Sequence, residues 1–271
     1  MQNMTNLQKK NLVNNIFVAI LLLLINFSIS LEFRKVSYSF SATGIAASII
    51  LMVGLNKYRK ENSKLNILFY MALIYLFVLI VSPFVMMLVL NKHMPNMGYL
   101  VNLMMNLETI GELDFNQLNK IMEFLVSLKE PIAISLILSF VFSEIPLCAM
   151  IYFSGKTLLF IGQDVSSSYG EEAHRYAKKT IISALATSII ALVVVLLVFE
   201  GLSGILFTYV GGVMFVNNAQ SLLTISGALS IPLMVVSIMY LVFFIKFLVR
   251  INKLASDINV NQDNNLNDYQ G

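Results

Sequence analysis

Long apolar runs broken by short polar connections make up most of the chain. The runs cover about Val13–Phe33, Val36–Leu55, Ile67–Leu90, Pro131–Phe153, Tyr176–Glu200 and Leu222–Val249. Each approaches the roughly 20 residues that a helix needs to cross a hydrocarbon layer about 30 Å thick. The pattern predicts an all-α fold: a polytopic membrane protein built as a bundle of about six transmembrane helices, one domain over residues 1–253. The Asn- and Asp-rich residues 254–271 predict a disordered cytoplasmic tail. Ser37, Ser39, Ser41, Gly44, Ala46 and Ala47 make the second run the one with most small residues, which predicts a closely packed inner helix.

The first run follows Lys9 and Lys10, a layout that also fits a signal peptide, with Ser28 and Ser30 as a small-x-small pair before Leu31. The length of the run and the polar Asn14 and Asn15 at its start favour an uncleaved anchor. Between the fifth and sixth runs, residues 201–221 are apolar but short for a span and are split by Gly211-Gly212, a hairpin signal. We read them as an outer re-entrant or hairpin element, because a seventh span would put Lys246, Arg250 and Lys253 outside.

Charge sets the orientation. Lys57, Arg59, Lys60 and Lys64 face only Glu61 in the loop after the second run, so this loop is expected to be cytoplasmic, and with it both termini. The connection 91–130 is acidic, with Glu108, Glu112, Asp114, Glu123 and Glu130 against Lys92, Lys120 and Lys129, and is expected outside. Within it Phe115, Leu118, Ile121, Met122, Leu125 and Leu128 recur at helical spacing. An outer amphipathic helix over 115–128, between helices three and four, is therefore expected on the membrane surface or as a docking face for a protein partner. Inside, Ser168 and Glu171 have capping-box spacing ahead of the fifth helix.

Composition adds to this picture. Of the 271 residues 58% are hydrophobic and 12% are charged, against about 45–50% and 25% in soluble domains. The lipid bilayer is the expected partner. The net charge of +3 comes from basic residues beside apolar runs, and no basic face of the kind that tracks phosphates is present, so nucleic acid is not expected. Cys148 is alone, which excludes an intrachain disulfide and a paired thiolate metal site. No cofactor is implied.

The chemically unusual position is Glu144, near the middle of the fourth run, where an ionised acid costs about 2.5–3.5 kcal/mol. It is expected to be neutral, paired or wet. Ser135, Ser139 and Ser143 form an i,i+4 row on the same helix, and Pro146 leaves the Phe142 carbonyl without its helical donor. Glu144, Ser139, Ser143 and Pro146 are thus a candidate intramembrane site on a strip facing the bundle interior. One reading is a proton- or cation-responsive group in a transport path; the other is a neutral acid hydrogen-bonded to a neighbouring helix. Pro83 and Pro232 interrupt two further spans, as in broken-helix transporters, although prolines are common in membrane helices.

Other motifs carry less. His93, Met94, Met97, Met104 and Met105 offer soft donors, but the 15 methionines are spread along the chain as apolar filler. Gly201-Leu202-Ser203-Gly204 resembles the nucleophile motif of rhomboid-type proteases, yet both histidines, His93 and His174, precede it in extramembrane loops. Glu171-Glu172 resembles the double-glutamate motif of prenyl-endopeptidase relatives, without the later histidine that motif needs. Ser154-Gly155-Lys156-Thr157 resembles the end of a phosphate loop, with Met150 where the first glycine belongs. No catalytic or nucleotide site follows. The basic turn Lys57 to Lys64 leading into Asn66-Ile67-Leu68-Phe69-Tyr70, with the run Arg175 to Lys179, resembles uncharacterised small multi-pass membrane proteins of archaea and bacteria; that resemblance implies topology and no activity. The expected function is a transporter-like or permease-type component, the alternative being a structural or accessory subunit of a membrane complex; neither is enzymatic.

Overall fold

In the computed structural model, residues 4–25, 27–33, 36–60, 62–93, 126–127, 129–210 and 216–267 are described. The fold is predominantly helical. In order come α1 (Asn6–Ile25), strands β1 (Ser28–Phe33) and β2 (Val36–Ser41), α2 (Ala42–Asn56), α3 (Leu65–His93) and α4 (Lys129–Ser139). A π-helical turn (Phe140–Glu144) leads into α5 (Ile145–Asp164), followed by α6 (Ser168–Val210) and α7 (Val216–Asn267). Five stretches are long and apolar enough to cross a membrane: Asn6–Ile25, Leu65–Val89, Lys129–Asp164, Ser168–Gly201 and Ser221–Ile258. The amphipathic segment 115–128 lies outside the described residues, apart from the helical pair 126–127.

The first two spans differ from the sequence expectation. Helix α1 starts earlier because Thr5 and Gln8 cap it reciprocally: the Gln8 amide donates to the Thr5 hydroxyl (3.2 Å) and the Thr5 amide to the Gln8 side-chain oxygen (2.8 Å). It stops at Ile25, and the chain enters an antiparallel hairpin that pairs Ser28 with Ser41, Ile29 with Phe40, Ser30 with Ser39, Leu31 with Tyr38 and Phe33 with Val36. Residues 28–33 and 36–41 alternate polar and apolar side chains with period two, which suits a strand, whereas a membrane helix needs a continuous run. The hairpin is tied to α2 by the Phe27 amide donating to the Thr43 hydroxyl (2.9 Å). Ser41, expected inside a span, instead caps α2 by accepting from the Gly44 amide (3.2 Å). Helix α2 keeps 15 residues and falls short of the length of the five candidate spans.

Two further expectations change. Residues 201–210, expected in a re-entrant or hairpin element, continue α6 as helix; Gly211-Gly212 lies outside the described residues. The tail expected to be disordered from residue 254 is helical through Asn267, and over its first turn Leu254, Ala255 and Ile258 are buried and extend the apolar pattern of α7.

By internal contacts the chain divides into two units: Met1–Pro83, Val141–Leu185 and Val236–Gly271 in the first, Phe84–Phe140 and Ala186–Val235 in the second. The first holds the continuous core. Leu12, Val13, Ile16, Ala19 and Ile20 of α1 and Ala47, Leu51 and Leu55 of α2 are buried together with Leu65, Leu68, Met150, Ile151, Leu158, Phe244, Phe247 and Ile251. Helices α5 and α6 are joined by a tight turn in which Ser166 takes a left-handed conformation (φ 55°), the Ser167 amide donates to the Gly162 carbonyl (2.8 Å) and the Ser166 amide to the Gln163 carbonyl (3.4 Å). This is the Schellman arrangement, with serine where glycine is usual. Ser167, one residue before the expected Ser168, caps α6, accepting from the Tyr169 amide (3.4 Å) and donating to Asp257 (2.6 Å).

Past this turn, α5 and α6 run antiparallel at backbone contact. A Cβ placed on Gly162 would lie 2.6 Å from the Gly170 Cα, and one on Gly155 would lie 2.7 Å from the Ala177 Cβ. Small residues at seven-residue spacing, Cys148, Gly155 and Gly162 against Gly170, Ala177 and Ala184, are what permits this approach. The second unit is sparser: Ser135 donates to the Met86 thioether (4.0 Å), and Lys129 pairs with Glu200 at an exposed position. Large apolar side chains such as Phe77, Ile182, Ile231 and Met234 point outward, more than 60% exposed. Such surfaces suit lipid, not water.

Candidate functional site

The local structure around Glu144 follows from Pro146. Proline supplies no amide hydrogen, so the α-helical ladder fails at this point, and the chain takes up one wide turn, Phe140–Glu144, before α5 begins with Pro146 in its first turn. The extra residue also breaks the serine row. Ser135 reaches Met86 and Ser139 is exposed, while Ser143, half-buried, is carried off the line they define. Of the four candidate residues, Glu144, Ser143 and Pro146 lie in the first unit and Ser139 in the second.

Glu144 is half-buried and stands within electrostatic reach of three groups that sequence reasoning did not assign to it: Tyr75 of α3, Tyr240 of α7 and Cys148 one turn along α5. Tyr75 is buried at 5% exposure, and Tyr240 packs edge-on to Phe244 with ring centroids 5.7 Å apart. Among the described residues no cation pairs with Glu144. The grouping therefore offers two phenols, one thiol and one carboxyl from three helices. Phenol hydroxyls can donate to a carboxylate or accept from a carboxylic acid, so such a set can serve either protonation state without a counter-charge. A signal for the tyrosines existed in the sequence: Tyr favours the ends of membrane helices, and these two stand well inside apolar runs.

A second cluster occupies the end of the first unit where α1, α3 and α6 begin and α2 and α5 finish. Lys9 is 6% exposed and pairs with Asp164 at the end of α5; Glu172 pairs with Arg250 (2.7 Å). The Arg59 guanidinium stacks 3.9 Å from the Phe69 ring, and Tyr169 faces both Arg250 (5.8 Å) and Lys253 (5.4 Å). The Ser154 hydroxyl and His174 Nδ1 are buried without a hydrogen-bond partner among the described residues, and the His174 ring lies 5.6 Å from Tyr152. No group of three or more His, Cys, Asp or Glu side chains able to hold a metal ion occurs among the described residues.

Five helices long and apolar enough to cross a membrane, with apolar outward surfaces, mark a polytopic helical membrane protein. No protein-family model, no curated protein and no solved structure matches the chain.

Proposed function

We propose that the protein is a transporter-like or permease-type membrane component in which Glu144 is the group that responds to protons or cations. The observation that carries this reading is the Glu144 carboxyl at the end of a π-helical turn, grouped with Tyr75, Tyr240 and Cys148. Intramembrane acids are costly and mark ion and substrate paths, and π turns concentrate at functional sites. A wide turn also frees backbone carbonyls beside the acid. The basic loop 57–64 supports an orientation with both termini in the cytoplasm of a cell-membrane protein. The competing reading is a structural or accessory subunit that docks a partner through residues 115–128.

The test uses the purified protein reconstituted in liposomes on a solid-supported electrode, with pulses of inorganic cations, amino acids, sugars and organic anions at several pH values. Wild type is expected to give currents for one class, with an amplitude that depends on pH. Glu144→Gln is expected to fold and insert normally but lose the pH dependence, because the amide cannot exchange a proton. Currents that keep their full pH dependence in Glu144→Gln remove the acid from the mechanism. Silence to every pulse, with a stoichiometric partner copurifying from the native membrane, favours the accessory subunit.

A further inference from the structure

A groove of about 130 Å³ opens where the first turn of α3 meets the middle and later turns of α5, lined by Lys64, Ile67, Leu68, Phe153, Lys156, Thr157 and Phe160. Its chemistry is two-sided. Ile67, Phe153 and Phe160 form apolar walls, and Ile67 is 46% exposed. At the rim stand two primary ammonium groups: Lys64, whose Nζ lies 4.5 Å from the Phe160 ring centre, and Lys156, half-buried one turn before Phe160. Among the described residues neither lysine has a carboxylate partner. The Thr157 hydroxyl donates to the Phe153 carbonyl (2.9 Å) and so leaves its oxygen able to accept.

The groove also sits at a defined depth. Residues 57–64 precede it with Lys57, Arg59 and Lys60, and the long apolar run of α3 starts within it. The amino end of α3, a 29-residue helix, points the positive end of its dipole toward the same place. Positive charge at the rim and hydrocarbon below it match one kind of molecule, an amphiphile with an anionic head. Basic pockets between membrane helices bind such lipid headgroups.

We propose that this groove binds an anionic phospholipid, its phosphate held between Lys64 and Lys156 and an acyl chain laid against Ile67, Phe153 and Phe160. The residues Ser154-Gly155-Lys156-Thr157, whose phosphate-loop likeness leads to no nucleotide site, then contribute one lysine to a phosphate of a different kind. The site is independent of Glu144.

The experiment titrates dioleoyl phosphatidylglycerol, dioleoyl phosphatidylcholine or inorganic phosphate into the full-length protein in a neutral detergent and follows thermal unfolding. Phosphatidylglycerol is expected to raise the unfolding temperature of wild type saturably, phosphatidylcholine and inorganic phosphate to leave it unchanged. The double variant Lys64→Gln/Lys156→Gln is expected to need about thirtyfold more phosphatidylglycerol, from the loss of two cationic contacts. Lys57→Gln/Lys178→Gln, with the same change in net charge outside the groove, is expected to match wild type. Lys64→Arg/Lys156→Arg, which keeps both charges, is expected to stay within a few fold and serves as the check on folding. Equal response of the groove and control variants, or of the two lipids, overturns the proposal. A response to inorganic phosphate that saturates without lipid overturns the lipid assignment and makes the site one for the free anion.

Discussion

Gly170→Ala tests the α5–α6 seam most directly. The added Cβ would lie 2.6 Å from the Leu158 carbonyl oxygen and 2.7 Å from the Gly162 Cα, both backbone atoms that no rotamer change can move. Restoring an ordinary 3.4 Å contact requires the helices to part by about 0.8 Å, the difference between 3.4 and 2.6 Å. Parting them loosens Leu158, Ile161, Ala173 and Ala177, all fully buried. Overpacking of this kind costs about 1–3 kcal/mol, offset by up to about 1 kcal/mol of helix propensity gained over glycine, so after the full offset a net loss of up to about 2 kcal/mol is expected. Gly227→Ala is the matched control. It makes the same chemical change within a helix, but nothing lies within 4 Å of the new Cβ. It is expected to stabilise by about 0.5–1 kcal/mol. Reversible unfolding of each variant in mixed micelles, followed by circular dichroism against denaturant, measures both. A shift of stability in the same direction for both substitutions refutes backbone contact at the seam.

Two further outcomes are expected. Lys9→Met or Asp164→Leu alone should cost about 3 kcal/mol by stranding a buried charge, and Lys9→Met/Asp164→Leu should recover most of it; a double-mutant cycle in the same unfolding assay with additive losses would show that the pair is not coupled. Cysteines introduced beside Lys60 and Lys178 should resist an impermeant thiol reagent in intact cells while one beside Glu112 reacts, and labelling at Lys60 would reverse the proposed orientation.

Apolar run length made the helices from α3 onward legible, since hydrophobic content needs no knowledge of neighbours. Their interior arrangement was not. The seven-residue spacing of Cys148, Gly155, Gly162 and of Gly170, Ala177, Ala184 stands in the sequence, but small residues show a seam only once two helices are known to be antiparallel neighbours. Residues 28–41 were misread for a different reason: a window long enough to find a membrane helix averages out a period-two pattern, so Ser28, Ser30, Ser37, Ser39 and Ser41 blended into the apolar runs beside them. At the candidate site Glu144 was visible because a mid-span carboxylate is conspicuous alone. Tyr75 and Tyr240 were not, because what links them to Glu144 is the packing of three helices distant in sequence. Lys9, in the sequence only part of a polar start ahead of the first apolar run, becomes a buried residue through Asp164, 155 positions away.

The shortness of α2 has a consequence for the lipid around it. Fifteen helical residues reach about 22 Å, roughly 8 Å less than a typical hydrocarbon layer. The hairpin before it cannot supply the difference within the lipid, since the outer edges of a two-stranded sheet carry backbone groups that hydrocarbon leaves unsatisfied. Were α2 to cross a bilayer, the lipid beside it would have to be thinner than beside the 29-residue α3, at a hydrophobic mismatch cost of a fraction of a kcal/mol for each ångström. For a crossing α2, membrane thickness would then act on one face of the protein as a variable of its own, and short-chain lipid there would remove that cost.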